Sequence, residues 1–163
     1  MTTARIDAAT KADVAVLLGL VRALADYEQL ASMVVATEAL LRESLFAANP
    51  AAEAALARVD GRPVGFALWF HNFSTFLGRR GLYLEDLFVE PEFRGQGIGR
   101  QLLAHVASIA VERDCGRMEW AVLDWNETAT GAYRAVGAEP MDEWTIYRLT
   151  GDPLRRLAAT ARR

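Results

Sequence analysis

The residues best suited to chemistry lie around one glycine-rich turn. Arg94-Gly95-Gln96-Gly97-Ile98-Gly99 follows an apolar run and opens a stretch with helical periodicity. The first N–H groups of a helix lack intrahelical acceptors and its dipole adds partial positive charge, so such a junction can hold a phosphate. Glycines let the backbone approach that anion without an intervening Cβ. A P-loop needs Gly-Lys-Ser/Thr at its end, and the chain's one lysine is Lys11. The dinucleotide pattern Gly-x-Gly-x-x-Gly fails from Gly95, where Arg100 holds the third position, and from Gly97, where Leu102 does. The pattern that fits is Arg/Gln-x-x-Gly-x-Gly/Ala, on Arg94, Gly97 and Gly99.

Just upstream, Leu82 to Val89 reads as a strand that carries two carboxylates, Glu85 and Asp86. Uninterrupted alternation puts Tyr83, Glu85, Leu87 and Val89 on one face and Leu82, Leu84, Asp86 and Phe88 on the other. A carboxylate buried in a core strand costs free energy unless it is paired or used, which marks both residues. Cys115 with His71 or His105 offers a nucleophilic pair on paper. A single buried cysteine near a helix end is the more ordinary reading. No Cys/His cluster has metal-ligand spacing, so no metal is expected.

These residues need elements to carry them. Arg5 to Ala9 reads as a first strand, and Val14, Leu17, Leu18, Val21, Leu24 and Ala25 recur at helical spacing between Asp13 and Glu28. Thr37 caps a second helix that runs to Phe46. Ala54 to Asp60 and Val64 to Phe73 form a hairpin about Gly61-Arg62-Pro63, and Leu82 to Val89 adds a third strand. Ile98, Leu102, Leu103, Val106, Ile109 and Ala110 make a long helix stopped at Gly116. Met118 to Leu123 is a strand, Thr128 to Val136 a helix, and Glu139 to Leu149 the last pairing segments. Arg155 to Arg163 is a short surface helix or frayed tail.

Length and composition bound the function. A chain of 163 residues fits a single domain, 1–163, and 52% hydrophobic content excludes a disordered chain. Lys and Arg total 18 against 21 Asp and Glu, so the basic field that nucleic acid requires is missing. No membrane partner is expected, and a small molecule, a cationic one included, suits the charge better. Residues Met1 to Asp7 contain no apolar signal region, so the expected location is the cytoplasm.

The run Leu87-Phe88-Val89-Glu90-Pro91-Glu92-Phe93-Arg94-Gly95-Gln96-Gly97-Ile98-Gly99, with a second block from Asn126-Glu127 to Tyr133-Arg134-Ala135-Val136-Gly137-Ala138, resembles the GNAT superfamily of acyl-CoA-dependent N-acyltransferases. Leu24-Ala25-Asp26-Tyr27-Glu28, Leu82 to Val89 and Trp125-Asn126-Glu127 are most similar to its spermidine/spermine and thialysine N-acetyltransferases. The resemblance implies an α/β (α+β) fold with a mixed, mostly antiparallel central sheet, flanking helices and splayed parallel strands at the acetyl-CoA site. It implies acetyl transfer to a primary amine of a small molecule. A protein or peptide N-acetyltransferase and a non-catalytic acyl-CoA-binding module are the alternatives.

By the same resemblance, acetyl-CoA rests on Leu87, Phe88 and Val89, on Arg94, Gly95, Gln96, Gly97, Ile98, Gly99 and Arg100, and on Asn126. Tyr27, Glu28, Glu85 and Glu143 meet the amine, Glu85 takes its proton, and Tyr133 protonates the departing thiolate. Asp86, pointing away from Glu85, is assigned a structural role. Gln29, Leu30, Ala31 and Ser32 replace the further acidic residues of the polyamine enzymes, which favours a smaller, more apolar amine. A homodimer is expected from the same relatives.

Overall fold

The structure, a computed structural model, describes residues 3–161. Strands β1 (Arg5–Ala8), β2 (Glu53–Val59), β3 (Arg62–Ser74), β4 (Arg79–Val89) and β5 (Met118–Trp120) form one sheet in sequential order. The first four are antiparallel, and β5 runs parallel to β4. Helices α1 (Val14–Tyr27), α2 (Glu38–Phe46) and α3 (Ile98–Glu112) precede α4 (Glu127–Ala135) and α5 (Gly151–Ala159). The chain divides after Ala121 into two compact units.

In the first unit both faces of the sheet are covered. The apolar stripe of α3, Ile98, Leu102, Val106 and Ala110, packs with Ala55, Ala57, Ala67, Trp69, Leu82 and Leu84. Leu17 and Leu20 of α1 and Leu45 of α2 pack with Leu56, Phe66 and Phe88. Each large side chain fully buried in these layers contributes about 1.5–3 kcal/mol. The β2–β3 turn is tighter than the sequence suggests. Asp60 and Gly61 take φ of 49° and 80°, the left-handed pair of a two-residue hairpin, so Arg62 and Pro63 already belong to β3.

The faces of β4 do not follow simple alternation. Leu68 pairs with Asp86 and Trp69 with Leu84, so Glu85 is an extra residue in the ladder, a β-bulge. Leu82 and Leu84 therefore face α3, whereas Phe88 faces α1 and α2 with Phe66. The expectation that Leu82, Leu84, Asp86 and Phe88 share one face is corrected here. One inserted residue reverses every side chain beyond it.

The second unit holds α4 and α5. Two expected strands change. The strand foreseen over Met118 to Leu123 stops at Trp120, and Glu139 to Leu149 forms no strand among the described residues. Trp144, Ile146 and Tyr147 are exposed instead. Alternating apolar residues become a strand only where a neighbouring edge accepts their hydrogen bonds.

Candidate active site

The glycine-rich turn folds as its residue types require. Pro91–Phe93 makes a single 3-10 turn closed by the Arg94 N–H on the Pro91 carbonyl at 3.2 Å. Gly95 and Gly97 then take φ of 73° and 85°, backbone that a side chain resists, and Gly97 is the N-cap of α3. The N–H groups of Ile98, Gly99 and Arg100, in the first turn of α3, have no intrahelical acceptor. This backbone fits a pyrophosphate.

Beside it, β4 and β5 part. Their ladder runs from Leu82–Met118 to Leu84–Trp120 and ends there, one residue before the Glu85 bulge. β4 continues to Val89 with β3 alone beside it among the described strands. Glu90 N–H donates to Val64 on the β3 side, so the alternating backbone turns the groups of Val89 and Leu87 to the open edge. An extended chain bearing amides, as in pantetheine, can pair there as an added strand would.

The side chain of Arg94 does not extend from the turn toward the helix end. Its Nε–H donates to the Val89 carbonyl at 2.8 Å, and its Cζ lies 4.2 Å from the Tyr27 ring centroid and 5.4 Å from that of Phe88. Tyr27 is the last residue of α1. A Schellman cap closes that helix, with Gln29 left-handed at φ 60°, Leu30 N–H on Ala25 O at 2.8 Å and Gln29 N–H on Asp26 O at 3.1 Å. The cap fixes the direction in which Tyr27 and Glu28 leave α1.

Carboxylates gather around the bulge. Glu85 is exposed and Asp86 half-buried. Burial first, then the charges of Glu85 and Glu28, push the Asp86 carboxyl up to about 6. Burial also raises Glu28. Tyr83 is raised by burial and then by the charges of Glu85 and Glu119. Glu119, paired across the ladder with Tyr83, accepts from Asn72 at 3.3 Å and lies 2.8 Å from Arg117. The sequence marks Asp86 but supports only a structural role for it, and it does not single out Glu119. The two-carboxylate pattern in an apolar strand was the available signal for Asp86. Nothing in the sequence marks Glu119, because only the parallel pairing brings it beside Tyr83.

Tyr27, Glu28, Glu85, Asp86, Leu87, Phe88, Val89 and the turn from Arg94 to Arg100 all lie in the first unit. Asn126, Tyr133 and Glu143 belong to the second. There, the Asn126 side chain caps α4 by accepting the Ala129 N–H at 3.3 Å. Tyr133 is half-buried on that helix and Glu143 is exposed beyond it.

The geometry is poor for a Cys–His nucleophile. His71 Nδ1 is 3.0 Å from the Gly81 carbonyl, and its Nε2 is 2.9 Å from Arg113. A carbonyl only accepts and a guanidinium only donates, so Nδ1 carries the proton and Nε2 the lone pair. Cys115 Sγ lies 3.8 Å from Nδ1, the nitrogen with no lone pair to offer it.

Residues 20–138 match the model of the Acetyltransferase (GNAT) family. The chain is similar to the thialysine N-epsilon-acetyltransferase of Bos taurus, with 37% identity over 169 residues covering 97% of this chain and 99% of that protein. It is similar also to spermidine/spermine N(1)-acetyltransferase-like protein 1 of Homo sapiens, at 28% identity over 87% of this chain and 22% of that one. Among solved structures, an integron cassette protein from the mobile metagenome of V. cholerae matches with a TM-score of 0.80 and 30% identity, over 98% of this chain and 99% of the other.

Proposed function

The chain belongs to the acetyltransferase (GNAT) family and is an N-acetyltransferase, and we propose that it passes the acetyl group of acetyl-CoA directly to a primary amine of a small molecule. The acceptor is a polyamine, a diamine or a thialysine-like amino acid. The observation that carries this reading is the group of carboxylates formed by Glu85 and Asp86, on the strand segment where β4 leaves β5, with Glu28 from the end of α1. An alkylammonium has a pKa of about 10.4 and must lose its proton before it attacks a thioester. Negative charge draws the ammonium in, and a carboxylate at the strand edge receives the proton.

Glu85, exposed at the bulge, meets the ammonium and takes its proton directly or through water; Asp86 behind it shares that proton. Tyr27, Glu28 and Glu143 complete the amine contacts. The pyrophosphate rests on the backbone of Gly95 to Arg100, and the pantetheine runs along Leu87 and Val89 with a further hydrogen bond to Asn126. The amine nitrogen attacks the thioester carbonyl, the C–S bond breaks, and the Tyr133 hydroxyl protonates the leaving thiolate. No acyl-enzyme forms. In this reading 1–163 works as one acetyltransferase domain, as a homodimer in the cytoplasm. No helix of the described residues is long and apolar enough to cross a membrane.

The test is thiol release from acetyl-CoA across polyamines, thialysine, lysine analogues, aminoglycosides and peptides. Turnover with small amines is expected, and Tyr133→Phe should lower kcat about 100-fold while leaving acetyl-CoA affinity nearly unchanged. Turnover confined to peptides would replace the small-molecule reading, and an unaltered kcat would remove Tyr133 from the chemistry. Sedimentation reads the dimer.

A further inference from the structure

We propose that Arg94 is a positioning residue that transmits occupancy of the acetyl-CoA site to the amine site. The inference rests on the proposed function for the identity of both sites. An arginine at the mouth of a phosphate cradle is ordinarily expected to reach the anion. Here the side chain is committed elsewhere: Nε–H is held by the Val89 carbonyl at 2.8 Å, and the guanidinium lies 4.2 Å from the Tyr27 ring centroid. Val89 stands on the open edge of β4, Tyr27 ends α1 beside Glu28, and the Arg94 backbone leads into the cradle. One side chain therefore joins three parts of the site.

The physical link is direct. A pyrophosphate bound by Gly95 to Arg100 immobilises the backbone immediately after Arg94, and with it the origin of the side chain. A fixed guanidinium over an aromatic face holds that ring by cation–π attraction, and the Val89 hydrogen bond sets its height over the ring. The Schellman cap supports Tyr27 and Glu28 from the helix side, so ordering of the ring also orders the neighbouring carboxylate. Acetyl-CoA thus strengthens amine binding, and by linkage the amine strengthens acetyl-CoA binding by the same factor.

Hydrogen exchange of residues 24–30, read by mass spectrometry with and without acetyl-CoA, tests the link without any amine. Acetyl-CoA should slow exchange there in the unaltered protein and leave it unchanged in Arg94→Met, while protection of residues 97–100 persists in both. With a turned-over amine, Arg94→Met should raise its KM about fivefold with kcat within about twofold, the effect of one exposed cation–π contact. Arg94→Lys, which keeps a cation over the ring, should recover part of the loss. Tyr27→Leu should raise the amine KM at least as much as Arg94→Met, and adding Arg94→Met to Tyr27→Leu should cost nothing more. The proposal is overturned if Arg94→Met weakens acetyl-CoA about tenfold and leaves the exchange response of 24–30 intact, which makes Arg94 a phosphate ligand. Additive effects of the two substitutions overturn it too. If no amine is acetylated, the proposed function falls, and the exchange measurement still decides whether Arg94 couples the turn to α1.

Discussion

Asp86 stands opposite Leu68 in the β3–β4 ladder, and that pairing turns its carboxyl to the face where Leu68, Phe66 and Phe88 pack with α1 and α2. A carboxyl so placed holds its proton more tightly than in water, because the ion loses hydration and meets the charges of Glu85 and Glu28. Asp86 ionises at about 6 in the folded chain, above the ordinary aspartate value of 3.8. The folded state therefore prefers protonated Asp86, and this preference, fully present below pH 3.8, is lost as pH rises through about 6. Asp86→Asn should be the more stable protein at pH 7–8, by at most about 3 kcal/mol and less where water screens the site, with the difference closing near pH 4. Urea denaturation across that range reads it. The same variant should lose about 100-fold in kcat/KM, and the fall in wild-type activity below about pH 6 should be absent from its profile.

Gly65 faces Val89 where β3 carries the end of β4. A Cβ at Gly65 would stand 2.5 Å from the Phe88 carbonyl oxygen and 3.2 Å from Val89 Cα, and backbone atoms cannot turn aside as a side chain can. Gly65→Ala should destabilise by about 1–3 kcal/mol and displace the edge that receives pantetheine. A lower denaturation midpoint together with weaker acetyl-CoA binding by calorimetry is the expected result.

The turn makes a separate demand at Gly97, the N-cap of α3, whose φ is 85°. Left-handed backbone costs an alanine about 1–2 kcal/mol, and relaxing it turns the first N–H groups of α3 away from a common focus. Gly97→Ala should weaken acetyl-CoA about tenfold with a smaller change in amine KM. An equal rise in both constants would mean a general loss of structure.

Cys115 should be dispensable. Its neighbour His71 already spends Nδ1–H on Gly81 and its lone pair on Arg113, so no base is left to activate the thiol. Cys115→Ala should keep turnover within about twofold, and initial-rate patterns with both substrates varied should intersect. Parallel lines would indicate an acyl-enzyme.

Local features were legible in the amino-acid order. Helices α1 and α3 announce themselves through apolar spacing, Thr37 as a capping residue type that does accept the Leu40 N–H at 3.2 Å, and the turn from Arg94 to Gly99 through its glycines, of which Gly95 and Gly97 take left-handed backbone. The family motif lies on the same contiguous stretch. Each depends on residues within a few positions of one another, and short-range sterics and hydrogen bonds act there whatever the rest of the chain does.

Everything that turns this stretch into a candidate site depends on distant partners. The bulge at Glu85 exists because Leu68 pairs with Asp86 while Trp69 pairs with Leu84, a relation set between two strands and written in neither. From it follow the face of Asp86 and its raised proton affinity. The parting of β4 from β5 after Leu84 is likewise a fact of pairing, and so is the position of Glu119 beside Tyr83. The turn of Arg94 onto Tyr27 joins residues 67 positions apart in the chain, through a ring and a carbonyl that only folding brings within reach. Sequence periodicity describes a strand's own pleat; which residue is left over when two strands align is a balance of packing on both faces of the sheet, and that balance is struck in three dimensions.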